Sequence, residues 1–256
     1  MKIVDTLSSL DLCEPKELDA YWRSETLERL YFLPKRIDAQ RREACLHDGA
    51  FRAGLRDSLR FFASVGAGEL CAEIWRRLEE KSGYRVESGT LTLLFGCGTT
   101  TIYTLGEETV LCAESLNGER ERLEMLLAHE FAHLVRRAGL SRDIFSSCVG
   151  ERLASEGLAE NFAREMVPGR PDSFYCITDE ERVRWTRVHS AFLESLLEDH
   201  REDAQQMQAL FAGDAVQDFP VRTGYVYGYD AVRRSLERKG LTARESLTLD
   251  WHELLE

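Results

Sequence analysis

The chain has 256 residues, of which 43% are hydrophobic and 30% are charged, and its formal net charge is −12. This length is enough for one large domain or two small lobes around a hydrophobic core. The acidic balance argues against a nucleic-acid partner, because proteins that bind phosphate backbones need a clustered basic surface. No apolar run is long enough to cross a bilayer, and the early acidic residues are untypical of a secretory signal. We therefore expect a cytoplasmic protein with no membrane partner.

The seven cysteines are scattered along the chain and include no C-x-x-C pair. An odd, scattered set is typical of neither a disulfide framework nor a thiolate zinc site, so we expect free thiols. A cysteine nucleophile paired with His189 is a further possibility, but it has no local sequence signature.

The first 82 residues are predicted to form a helical lobe. Apolar residues at mixed three- and four-residue spacings predict a helix over residues 15–35, which Pro34 ends, and a similar pattern continues over residues 37–64. After a glycine break, the stretch Glu69–Lys81 has the periodicity of an amphipathic helix.

A small sheet and two helices are predicted next. Residues 83–113 are rich in Thr, Val, Leu and aromatic residues with intervening glycines, which predicts two to four strands, the last over Thr109–Ala113. One helix is expected over about Glu119–Arg137, with Gly139 as its left-handed cap. A second is expected over about Val149–Met166, where Pro168–Gly169 would end it.

The last third is predicted to be helical again. Thr178 and Glu181 have the spacing of a capping box, which would open a helix running to about Asp199. Further helices are expected over Gly224–Lys239 and Asp250–Leu255. The predicted organisation is a helical lobe over residues 1–82, a core over residues 83–168 and a helical lobe over residues 169–256.

The stretch LLAHEFAHLVR, residues 126–136, carries two histidines four residues apart. On a helix, the imidazoles of His129 and His133 lie one turn apart on the same face, while Glu130 projects sideways toward a metal-bound water. This is the metalloprotease pattern H-E-x-x-H. The alternative is two core histidines without a metal, but burying two imidazoles and a carboxylate is unfavourable unless a cation pairs with them. The pattern therefore predicts one zinc ion per chain.

A catalytic zinc needs a third protein ligand and leaves its fourth position to water. The following helix offers four glutamates, namely Glu151, Glu156, Glu160 and Glu165. The first and last are expected on the solvated face of the helix. The middle two stack four residues apart among small and apolar side chains, on the side expected to pack inward. Gly157 removes bulk there, so we expect this helix to approach the H-E-x-x-H helix closely beside Glu156.

The sequence resembles the gluzincin zinc peptidases, in which H-E-x-x-H is followed by E-x-x-x-D/E on the next helix. HEFAHLVR at residues 129–136, SEGLAENFA at residues 155–163 and GYVYGY at residues 224–229 carry the resemblance, which extends to the bacterial YjaZ-like family of predicted zinc-dependent proteases. It implies an α+β, predominantly helical fold with a zincin-like core, made of a small mixed sheet, the H-E-x-x-H helix and a third-ligand helix. It also implies the metal ligands His129, His133 and Glu156, and Glu130 as the catalytic base.

The resemblance also implies an oxyanion donor. In gluzincin aminopeptidases a tyrosine in a Y-x-x-G context stabilises the oxyanion; Tyr225 stands in that context, and Tyr229 is the alternative. The G-x-M-x-N substrate loop of those aminopeptidases is absent, so an exopeptidase assignment is unsupported. Glu160 is expected to accept a hydrogen bond from one of the histidines. The strand Thr109–Ala113 is expected to offer its edge to an extended peptide.

Together these features predict a zinc-dependent peptidase that acts on a peptide or protein substrate. Zinc would activate a water and polarise the scissile carbonyl, and Glu130 would move the proton. Two alternatives stay open: a regulatory protein-binding module on a zincin fold, and a zinc hydrolase of a non-peptide amide or ester. The sequence predicts neither the cleavage preference nor the oligomeric state.

Overall fold

A computed structural model describes residues 1–7, 20–21, 39–96, 102–116, 118–140, 148–198, 210–211, 213 and 220–255. The predicted helix over residues 15–35 lies almost entirely outside them. The chain divides into two compact units, Met1–Arg77 with Val86–Glu124 and Leu78–Arg85 with Met125–Glu256. The three-part division at residues 82 and 168 stays a prediction.

The helical stretches predicted at residues 37–64 and 69–81 are present. They are α1 (Ala39–His47), α2 (Gly49–Val65) and α3 (Ala67–Ser82). The segment 37–64 is broken at Asp48, because its carboxylate accepts hydrogen bonds from the backbone N–H groups of Ala50 at 2.8 Å and Phe51 at 3.1 Å and so caps α2.

The sheet is small and mixed, as predicted. Its strands are β1 (Lys2–Asp5), β2 (Thr90–Leu94), β3 (Ile102–Leu105) and β4 (Glu108–Cys112), in the order β1-β2-β4-β3. The β1–β2 and β2–β4 pairs are parallel, and β3 is antiparallel to β4. β1 was not predicted, since four residues are too few to show a clear alternation.

The strand that was expected to bind a peptide along its edge is an inner strand. β4 pairs with β2 on one side and with β3 on the other, so its backbone hydrogen-bonding groups are already used within the sheet. The expectation that Thr109–Ala113 offers a free edge is therefore wrong.

The second unit contains most of α4 and the remaining helices. These are α4 (Arg120–Leu140), α5 (Val149–Met166), α6 (Asp172–Tyr175), α7 (Glu180–Val188), α8 (Ser190–Glu198), α9 (Thr223–Lys239) and α10 (Trp251–Leu255). The fold is predominantly helical with a small sheet, as predicted. Among the described residues, no helix has the length and apolarity that crossing a membrane requires.

Two predicted helix boundaries are wrong. Gly139 does not cap α4, which continues to Leu140; instead the glycine lets Thr248 pack closely, because a Cβ atom at 139 would collide with the threonine side chain. The capping residue of α7 is Asp179 rather than Thr178, and its carboxylate accepts from the backbone N–H of Arg182 at 2.8 Å. The predicted helix to residue 199 is divided between α7 and α8, with His189 between them.

A buried ion pair ties α4 to the first turn of α5. Arg136 donates to the Glu151 carboxylate at 2.9 Å, and it also donates to the backbone carbonyls of Leu247 and Leu249. Glu151 is fully buried, so its expected place on a solvated face is wrong, and Arg136 offsets the cost of burying its charge. Glu165 is exposed, as expected.

Helix α5 crosses α9 at two glycines. A Cβ atom on Gly157 would collide with the backbone carbonyl of Gly228, and a Cβ atom on Gly228 would collide with the carbonyl of Leu153. The expectation that Gly157 permits a close approach to the H-E-x-x-H helix is therefore wrong, because the nearest atoms to that position belong to α9. The two glycines bring the tyrosine-bearing helix against the helix that carries Glu156 and Glu160.

Candidate metal centre

The two histidines of the H-E-x-x-H stretch face each other on α4. Their Nε2 atoms are 3.0 Å apart, and the ring centroids are 4.6 Å apart in an edge-on arrangement. Both side chains are buried, as expected from the apolar circumference of the helix. The helical spacing of four residues is what brings the two nitrogens together.

Glu156 on α5 completes a triangle of donor atoms. Its Oε2 atom lies 3.2 Å from the Nε2 atom of His129 and 3.2 Å from that of His133. Two ligand atoms on one tetrahedral zinc are about 3.3 Å apart, since each lies about 2.0–2.1 Å from the metal. The three separations thus fit a single small cation, and among the described residues this is the cluster that could hold one.

The second nitrogen of each imidazole faces a residue of α5. The Nδ1 atom of His133 lies 3.1 Å from the Ser155 hydroxyl, and the Nδ1 atom of His129 lies 3.6 Å from the Glu160 carboxylate. When Nε2 binds a metal, Nδ1 carries the proton and needs an acceptor. Glu160 is therefore near His129, although the predicted hydrogen bond between them is not formed at this distance, and the contact of Ser155 was not predicted.

The centre contains buried polar atoms without a hydrogen-bond partner among the described residues. These are the Nδ1 atom of His129 and both carboxylate oxygens of Glu160, and the 3.6 Å between them is slightly longer than a hydrogen bond. The Nδ1 atom of His129 can donate and the Glu160 oxygens can accept, so a small movement of either side chain would form a hydrogen bond between them. Their geometry fits a centre whose imidazoles are drawn into place by a cation.

Electrostatics in the centre favour positive charge. Burial alone would lower the pKa of His129, but the carboxylates of Glu160 and Glu156 outweigh it and raise that pKa well above its ordinary value. Burial would likewise raise the pKa of Glu156, yet Arg152 and the histidines hold it well below its ordinary value. The ionised carboxylate of Glu156 and the imidazole of His129, which attracts a proton, form a set of donors. Such a set also attracts a metal cation.

Glu130 and Arg152 lie beside this triangle. Glu130 is buried on α4, and its charge acts on Arg152. Arg152 stands one helical turn before Glu156, with its Nη2 atom 2.6 Å from the Oε1 atom of that carboxylate. Arg152 was missed in the sequence analysis, although its spacing of four residues from Glu156 is typical of an ion pair on a helix.

Tyr225 lies next to Arg152, at the start of α9. Arg152 and Tyr225 both contact the ring of Phe211, and the charge of Arg152 acts on the phenol. Arg222 stacks on the Tyr225 ring with its guanidinium carbon 4.0 Å from the centroid. Burial, and then the nearby charge of Glu156, raise the pKa of Tyr225. The phenol therefore stays protonated and able to donate at neutral pH.

Tyr229 belongs to a different cluster. Its hydroxyl donates to the Asp172 carboxylate at 2.9 Å and accepts from Arg164. The two tyrosines are four residues apart on α9, and it is on the phenol of Tyr225 that the charges of Arg152 and Glu156 act.

Comparison with known proteins places this centre in a family. A family model described as "Predicted Zn-dependent protease (DUF2268)" matches residues 98–256, a region that includes the donor triangle, Glu130 and Tyr225. No curated protein matches the chain, and no solved structure matches it. The match covers more than half of the chain and agrees with the resemblance found in the sequence. The chain therefore belongs to the DUF2268 family of predicted Zn-dependent proteases.

Proposed function

We propose that this protein is a zinc-dependent peptidase of the gluzincin type, with His129, His133 and Glu156 as the metal ligands. The donor triangle carries the proposal, because two imidazole nitrogens and one carboxylate oxygen lie 3.0–3.2 Å from one another inside the protein. Two histidines and one carboxylate are a donor set of catalytic zinc sites, which keep a fourth position open. The family description supports the same metal.

Glu130 is the proposed general base. When bound, zinc lowers the pKa of a water and polarises a carbonyl group. Glu130 follows the first ligand directly, so it can take the proton from the attacking water and then deliver it to the departing amine. Because Glu130 is buried, its carboxylate is kept away from bulk solvent, with which it would otherwise exchange the proton.

Tyr225 is the proposed oxyanion donor. Because burial and the charge of Glu156 raise the pKa of Tyr225, the phenol keeps its O–H and can donate it to the developing negative charge of the substrate. Ser155 and Glu160 would accept the Nδ1 protons of the two ligand histidines and so fix the orientation of the rings. The substrate is proposed to be a peptide or protein, and a cytoplasmic location and the absence of a nucleic-acid partner stay predictions.

Metal content and peptide cleavage test this proposal together. Purified protein should carry about one zinc per chain, and its cleavage of an unbiased peptide library should stop on chelation and return when zinc is added. His129→Ala should lose both zinc and cleavage. A zinc-loaded protein that cleaves no peptide would contradict the peptidase proposal, and cleavage confined to non-peptide esters or amides would replace it.

A further inference from the structure

We propose that Arg152 is a positioning residue that makes Glu156 bind the metal through one oxygen and that keeps the Tyr225 phenol beside this carboxylate. This inference rests on the proposed function of the same centre. It assigns to Arg152 a role that follows from its contact with the Oε1 atom of Glu156 and from its place beside Tyr225, since both residues contact the ring of Phe211.

The contact to Glu156 separates the two oxygens of that carboxylate. Oε2 lies 3.2 Å from the Nε2 atom of each histidine, whereas Oε1 lies 2.6 Å from the Nη2 atom of Arg152. A carboxylate can bind zinc through one oxygen or through both. Because a guanidinium that donates to Oε1 competes for that oxygen, Arg152 favours binding through Oε2 alone.

The binding mode matters for the open coordination position. With two histidines and one carboxylate oxygen as ligands, a tetrahedral zinc keeps its fourth position for water. A second oxygen from Glu156 would crowd that position. Arg152 thus acts through Glu156, since it keeps the carboxylate from occupying the space where the water and the substrate must bind.

Charge balance supports the same role. Glu130, Glu156 and Glu160 are buried together and, when ionised, carry three negative charges. A divalent cation and the guanidinium of Arg152 together supply three positive charges. Buried charges are costly unless they are paired, so the guanidinium of Arg152 offsets part of the cost of burying these carboxylates. The Arg152 side chain is itself only 21% exposed, which keeps its interactions with these carboxylates little screened by solvent.

The place of Arg152 beside Tyr225 links the metal ligand to the proposed oxyanion donor. Arg152 stands on α5 and Tyr225 on α9, and the close packing of Gly157 against Gly228 holds these two helices together. The guanidinium presents several N–H groups in a fixed plane, so it can donate to the carboxylate and to the phenol at once. One side chain therefore contacts the metal ligand and lies within reach of the phenol.

Zinc binding measured without any substrate tests the proposal. The variants are Arg152→Met, which removes the charge and the donors, and Arg152→Lys, which keeps the charge. Zinc affinity is obtained by competition with a chromophoric chelator, and the number of zinc ligands by X-ray absorption at the zinc edge. Arg152→Met should raise the ligand count by one oxygen, whereas Arg152→Lys should keep the ligand count of the parent.

Arg164→Met is the matched control. Arg164 is on the same helix and pairs with Asp172 at 2.8 Å, but it lies twelve residues, or about 18 Å along the helix axis, from Arg152. This variant should bind zinc as the parent does. A folded Arg152→Met protein with the parent's ligand count would overturn the proposal. Should Arg152→Met fail to fold, Arg152→Leu replaces it, and the parent's ligand count in that variant overturns the proposal equally.

These measurements separate the inference from the peptidase proposal. Neither the affinity nor the ligand count depends on a substrate, so an absence of peptide cleavage would leave the role of Arg152 standing. Conversely, unchanged zinc coordination in Arg152→Met would remove the role of Arg152 while peptide cleavage by the parent still supported the peptidase.

Discussion

Gly157 and Gly228 pack backbone against backbone where α5 crosses α9, so closely that a Cβ atom on either residue would collide with the main chain of the other helix. Glu156 directly precedes the first glycine, and Tyr225 lies three residues before the second. The crossing therefore sets the distance between the proposed metal ligand and the proposed oxyanion donor. A methyl group at either glycine cannot be accommodated by a side-chain movement, because the atoms it meets belong to the backbone.

Gly157→Ala should destabilise the protein by about 3 kcal/mol, since overpacking against a rigid neighbour forces the helices apart. Thermal unfolding measures the loss. Gly54→Ala is the control, because Gly54 lies inside α2 with no atom near the place of a Cβ, and alanine there should stabilise by about 0.5–1 kcal/mol. Equal stability of Gly157→Ala and the parent would show that the helices do not cross as described.

Tyr225→Phe should retain zinc and lower kcat by about 100-fold, because one donor to the developing oxyanion is lost. Tyr229→Phe is the matched variant, since the same hydroxyl is removed one turn away. It loses the hydrogen bond to Asp172, so it should cost about 1 kcal/mol of stability and leave kcat nearly unchanged. A large loss of kcat in Tyr229→Phe, with kcat nearly unchanged in Tyr225→Phe, would assign the oxyanion role to Tyr229 instead.

The two stacked glutamates should respond differently to replacement by glutamine. Glu156→Gln exchanges an anionic donor for a weak neutral one and should largely empty the metal site. Glu160→Gln can still accept from the Nδ1 atom of His129 through its amide oxygen, so zinc should remain with affinity reduced by about 10–100-fold. Elemental analysis of both variants measures their zinc content. Zinc retained only in Glu156→Gln would make Glu160 the metal ligand and Glu156 the hydrogen-bond acceptor.

Zinc affinity should rise with pH through the neutral range. The carboxylates of Glu160 and Glu156 raise the pKa of His129 above its ordinary value, so the metal-free protein holds a proton there that zinc must displace. Below that pKa the apparent affinity should increase by about tenfold per pH unit, and above it the affinity should level off.

Calorimetry in two buffers with different ionisation enthalpies should then show about one proton released per zinc from His129 below that pKa. Glu160→Gln removes the largest contribution that raises this pKa, so the rise in affinity should end at a lower pH in that variant. A zinc affinity that is constant between about pH 6 and pH 8 would contradict the assignment of His129 as a ligand.

Local features of the centre could be predicted from the sequence because they depend on helix geometry alone. His129 and His133 meet because they are four residues apart on one helix, and Glu156 and Glu160 share a face for the same reason. The bounds of α5 also follow from local signals, because Pro168 cannot continue a helix. The ion pair of Arg152 with Glu156 could have been predicted in the same way, since the two residues are four positions apart on one helix.

Features that depend on distant segments could not be predicted in this way. The contact of Ser155 with His133 depends on how two helices cross, and β1 becomes a strand because it pairs with residues almost ninety positions away. Gly139 and Gly157 show the same limit. A glycine that permits close packing and a glycine that ends a helix look alike in a sequence, and only the neighbouring segment distinguishes them.

The most direct test of the central claim is the turnover of Glu130→Gln. This substitution keeps the size and shape of the side chain, so the protein should retain its zinc and its melting temperature. Because the base is lost, peptide cleavage by the zinc-loaded variant should fall by about 100-fold or more. Cleavage at the parental rate by a folded, zinc-loaded Glu130→Gln protein would contradict the claim that this centre hydrolyses peptide bonds with Glu130 as its base.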